Sequence, residues 1–216
     1  MNKLMISTNI IRLKYIALLT TIVLCVSCNK NKKKLRTDGE TVITESPIGQ
    51  NKKVIELNQK GIEFSEKNEL DKAEKSFLKA LEIEPNNYVV LSNYGLYKTL
   101  IGEFDESIQL MEKSLTLSDS TYLTSAVNLS RSYYFNKNYE KGINIATFVI
   151  NKTDDRKVLF QAYVHRIGNY IASKKCETAI NEKNKINELF RDLPNADFHF
   201  KKIEKLYKKN CGQQHI

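Results

Sequence analysis

"ELDKAEKSFLKALEIEPNN" runs from Glu69 to Asn87. Its apolar and small positions, Leu70, Ala73, Phe77, Ala80 and Leu81, recur every three or four residues. That is the period of one face of an α-helix. Charged residues fill the positions between. Pro85 has no amide hydrogen to donate and its ring collides with the preceding turn, so the helix stops before it. Just upstream, "VIELNQKGIEFSEKN" (Val54 to Asn68) carries the same period. The two stretches, split by a polar corner, predict a pair of antiparallel amphipathic helices. One such pair cannot bury its own apolar face, so neighbours must stack on it.

The neighbours are present. A shift of 34 residues places Leu57 on Leu91, Gly61 on Gly95, Asn68 on Gly102, Leu70 on Phe104, Ala73 on Ser107, Phe77 on Met111, Ala80 on Ser114 and Leu81 on Leu115. A further shift of 35 places Phe104 on Tyr139, Ser107 on Gly142 and Ile108 on Ile143. The corners themselves repeat: "ELDKA" at 69–73, "EFDES" at 103–107, "NYEKG" at 138–142 and "KCETA" at 175–179. Small residues mark where paired helices cross closely, and the bulky residue opening each second helix plugs the corner. Stacked units of this kind share one continuous core. The fold class predicted is all-α, a solenoid of four helix hairpins with a further helix after Pro194.

These residues resemble the tetratricopeptide repeat. The unit at 54–87 carries Leu57, Gly61 and Phe64 in its first helix, Ala73, Phe77 and Ala80 in its second, and Pro85 at its exit. The unit at 88–121 keeps Leu91, Tyr94 and Gly95 but has Asp119 where proline is usual. In the unit at 122–156 Ser130 replaces the glycine and Ala146 the aromatic, and the unit at 157–193 carries extra residues. The helix within 194–216 is expected to cap the stack, with Phe198, Ile203, Leu206 and Tyr207 facing the last repeat and its lysines facing water. The resemblance implies a concave groove lined by the first helices that receives a protein or peptide partner. By spacing, its candidate residues are Asn58, Ile62, Ser65, Ser92, Leu96, Thr99, Val127, Arg131, Tyr134, Gln161 and Val164, without a cluster of lysines or arginines to clamp a carboxylate.

The net charge of +9 is uneven. Residues 1–27 contribute three positive charges and no acids, residues 29–53 a net four, and everything after residue 53 only about two. A nucleic-acid binder carries its positive charge on a folded face, so no nucleic-acid partner is expected. Residues 1–27 read as a leader: Arg12 and Lys14, an apolar run from Ile16 to Val26, then Ser27. The run is shorter than the roughly 20 residues a spanning helix needs. Cys28 follows directly, as in a bacterial lipoprotein signal, where that cysteine becomes the lipidated first residue. An uncleaved signal anchor and plain secretion are the competing readings. Residues 28–53 then form a polar, basic tether. The chain is expected in the bacterial envelope, lipid-anchored and periplasm-facing. Asn29 rather than Asp after the cysteine favours the outer membrane.

No phosphate loop, nucleophile elbow or zinc-spaced histidine pair occurs; His165, His199 and His215 are far apart. No catalytic residue, cofactor or metal is expected, and the chain is read as a non-enzyme. An envelope protein that holds a small ligand or serves structurally is the second reading, to be favoured by an enclosed apolar pocket. Cys25 lies inside the apolar leader, which argues against a redox pair with Cys28. Cys176 opens the last repeat's second helix, and an antiparallel terminal helix of similar length would return Cys211 beside it. A disulfide is therefore possible there; two unpaired thiols are the alternative.

Overall fold

The computed structural model describes residues 51–212. The leader, Cys28 and all but the end of the tether lie outside the described residues, as do residues 213–216. Nine helices follow in order among the described residues: α1 Lys52–Glu66, α2 Leu70–Ile83, α3 Tyr88–Ile101, α4 Phe104–Leu117, α5 Leu123–Phe135, α6 Tyr139–Ile150, α7 Arg156–Ala172, α8 Cys176–Phe190 and α9 Ala196–Cys211. Each odd helix pairs with the next, and α1, α3, α5, α7 and α9 contact one another in succession. No described helix is long and apolar enough to cross a membrane.

Local chemistry sets the boundaries. Three first helices start on side-chain caps, which occupy amide hydrogens that have no partner within the helix. The Asn51 side-chain oxygen accepts from the Lys53 amide, that of Asn87 from Val90, and that of Asp155 from Lys157 and Val158. The corners share one backbone device. Asn68, Gly102, Lys137 and Lys174 all have φ between 57° and 87°. The next amide in each case donates back across the turn, as from Glu69 to Phe64 O at 2.8 Å and from Lys175 to Tyr170 O at 2.8 Å. This is a left-handed cap closing a helix end. Only Gly102 takes that conformation without steric cost. Each second helix then opens on the bulky residue of its corner motif, Leu70, Phe104, Tyr139 or Cys176. Asp119 stands where proline is usual because its φ is 49°, a value the proline ring forbids.

Close crossings explain the small residues. A methyl group on Gly61 would lie 2.6 Å from the Phe77 ring, and one on Gly95 2.9 Å from Met111 Cγ. The third hairpin departs from this scheme. Ser130 donates to Gly142 O at 2.8 Å, and the space beside Gly142 is filled by the Asn169 amide. Buried Thr99, Ser107 and Ser132 share hydroxyl hydrogen bonds of 2.7–2.9 Å. Lys98 is buried between α2 and α4, contacting Glu74, Glu103 and Glu106 at 2.6–2.9 Å. Burial alone lowers its ammonium; hydrogen bonds with Glu74, Glu106 and Tyr94 outweigh that and raise it above its ordinary value. Burial likewise pushes the Tyr94 and Tyr97 hydroxyls up to about 12.

The terminal helix corrects one expectation. Phe198 is exposed, at 52 %, while His199, Phe200 and Ile203 are buried. The seam on α9 runs through Ala196, Phe200, Ile203 and Cys211. Phe198 sits two residues from Phe200, about 200° around the helix, and so points away.

Candidate functional site

A cleft of about 300 Å³ lies between α5, α7 and α9. Helix α5 contributes Arg131, Tyr134 and Phe135; α7 contributes Gln161, Val164, His165 and Gly168; α9 contributes His199, Ile203 and Leu206 with Lys202, Lys205 and Lys209. Of the groove residues proposed from spacing, Arg131, Tyr134, Gln161 and Val164 are brought together here. Arg131 lies over the Phe135 ring at 5.8 Å, and Tyr134 packs edge-on against Phe135 with ring centres 5.2 Å apart. Gln161 Nε2 is 3.4 Å from His199 Nε2.

The other groove candidates are buried and do not line this cleft. Asn58 accepts from Asn93 at 3.2 Å. Ser65 bonds back to Gly61 O. Ile62 belongs to the cluster around Phe77, and Leu96 and Val127 to the cluster around Met111. Thr99 is consumed by the Ser107 and Ser132 hydroxyls. Ser92 has no exposed surface, and its hydroxyl has no hydrogen-bond partner among the described residues. Spacing identifies the face a residue occupies, but successive first helices approach one another closely enough to cover it.

Helix α9 supplies what spacing missed. Its lysines were expected to face water, and Lys202, Lys205 and Lys209 are exposed. They also stand at i, i+3 and i+7, on one side of the helix, and that side borders the cleft. No acidic residue is among the described residues that line it. The one signal in the sequence was this lysine period, which a solvated cap would also show.

His165 reports the electrostatics of the cleft. Burial first, then the charges of Arg131, His199 and Lys202, push its imidazole down to about 3. The ring is therefore neutral in the folded protein at ordinary pH, while an unfolded chain protonates it below 6.5. Below that value the unfolded state binds the extra proton, so stability falls as pH drops. Between pH 6.5 and 5 the expected loss from this group is about 1–2 kcal/mol. His165→Gln should remove that part of the slope in thermal melts recorded against pH; an unchanged slope would assign the loss to other groups.

Stacked helix hairpins with successive first helices in contact define a helical repeat protein. Residues 54–87 match the tetratricopeptide repeat family model. The chain is similar in structure to a tetratricopeptide repeat protein from Parabacteroides merdae, with a TM-score of 0.57 and 22 % identity over 76 % of this chain. It spans 62 % of that protein's length. Residues 54–87 thus form a tetratricopeptide repeat, and the described chain has the fold of proteins built from such repeats.

Proposed function

We propose that this chain is a membrane-anchored lipoprotein whose repeats act as a protein–protein interaction scaffold in the bacterial envelope. Tetratricopeptide repeats point to protein partners. The observation that carries the reading is the cleft, where three successive first helices leave half-buried Tyr134 and Val164 beside exposed Lys205. Aromatic and cationic side chains around a partly enclosed apolar floor are the types that dominate interface energies. The leader, Cys28 and the basic tether support the address: lipid on Cys28 holds the chain to the membrane, and the tether lets the repeats reach a partner. Lysines next to the anchor add about 1 kcal/mol each on an anionic surface.

Affinity capture from solubilised envelopes tests both parts. The full chain should recover a defined partner, and its own intact mass should show a diacyl or triacyl group on Cys28. Tyr134→Ala and Lys205→Glu should each weaken recovery by about tenfold, whereas Leu189→Ser, on the exposed face of α8, should not. An intact Met1 refutes the anchor. Equal recovery by all variants refutes the docking face.

A further inference from the structure

We infer that the cleft between α5, α7 and α9 is itself a binding site for a small amphipathic carboxylate, an apolar body with one anionic head. Its floor is apolar, formed by Tyr134, Val164, Ile203 and Leu206. Its rim is cationic, with exposed Lys202, Lys205 and Lys209 along one wall, and Arg131 on the opposite helix is a buried part of the lining. At about 300 Å³ it has the size of a small-ligand pocket. The lone acid on that stretch of α9, Glu204, pairs instead with Lys208 at 3.1 Å.

Charge and shape select the ligand together. An apolar body gains by leaving water, in proportion to the surface it buries. A head placed among three ammonium groups gains charge-assisted hydrogen bonds. A neutral analogue forfeits the second contribution and a cationic one is repelled. The depth of the cleft depends on Gly168. A Cβ there would meet only the Tyr134 ring, at 4.0 Å, so a larger side chain at 168 has room to be built and grows into the ligand's space. Replacing a helical glycine also favours the helix, because glycine loses the most backbone freedom on folding.

The inference shares its cleft with the scaffold reading, but ligand binding is measured with no partner present. The full chain in nonionic detergent is photolabelled with a dodecanoate bearing a diazirine, and the label is mapped by mass spectrometry. Label should concentrate on α5, α7 and α9. Dodecanoate should compete for it, and dodecanol and dodecyltrimethylammonium should not. Gly168→Leu, and the triple variant Lys202→Glu, Lys205→Glu, Lys209→Glu, should each lower labelling by about tenfold or more, with circular dichroism confirming the fold. Label spread along the chain, equal competition by dodecanol, or undiminished labelling of folded Gly168→Leu would each overturn the site. Failure to capture a protein leaves this result untouched, and failure to label leaves the docking face untouched.

Discussion

Phe77→Ala is expected to lower stability by about 3–5 kcal/mol, the range for removing a large ring from a packed core. Phe77 is 1 % exposed and sits where three helices meet. Its ring fills the space over Gly61 on α1, where even a methyl group would collide with it. It also packs against Tyr94 and Tyr97 of α3, with ring centres 5.6 and 5.9 Å away. The surroundings cannot collapse to refill the void. Gly61 has no side chain to advance, and both tyrosines are tethered by their hydroxyls, Tyr94 to Glu74 and Tyr97 to Leu70 O. A cavity that cannot relax gives the upper part of the range. Leu78, its chain neighbour, is 45 % exposed, and Leu78→Ala should cost no more than about 0.5 kcal/mol. Urea unfolding followed by far-ultraviolet circular dichroism compares the two. Similar midpoints for both variants would mean that the first hairpin is not held by this contact.

Phe77 was legible because its evidence is local. The 3.6 period placed it on the inner face, and the glycine one hairpin-width away marked the crossing it fills. The corners were legible for the same reason: a polar residue, a bulky one and a small one at fixed offsets answer to one turn geometry. The sequence was a poorer guide wherever the deciding contact was remote. Thr99 has the spacing of a groove residue, yet Ser132, 33 residues on, completes a buried hydroxyl cluster with it. Phe198 and Phe200 are equally apolar, and only the angle at which α9 meets α7 and α8 decides which is covered. The lysines of α9 carry the period of a solvated face. They become the rim of a cleft because α9 stacks on α7 as a further first helix, a placement that composition does not reveal.

Losing the Cys176–Cys211 disulfide should cost about 3–4 kcal/mol. The two residues are 35 apart in sequence, with Cα atoms 5.8 Å apart, within the span a bridge requires. Chain entropy explains the size of the effect. The bond closes a loop that holds all of α8 and α9, and without it the unfolded chain regains the freedom of that loop. The folded state changes less, because both sulfurs are buried and a buried thiol packs as a small apolar group. Lys174 still donates to Asn210 O at 2.8 Å across the same junction. The loss should be uneven along the chain. Units in a repeat stack contact only their neighbours, so amide exchange in the double variant Cys176→Ser, Cys211→Ser should quicken most in α9, next in α8, and least in α1 to α4. Because α9 forms one wall of the cleft, dodecanoate labelling should fall in the same variant while the Phe77 region keeps its protection. Urea midpoints that coincide with and without reductant would show that packing alone holds α9. Uniform acceleration of exchange from α1 to α9 would show instead that the stack opens as one cooperative unit.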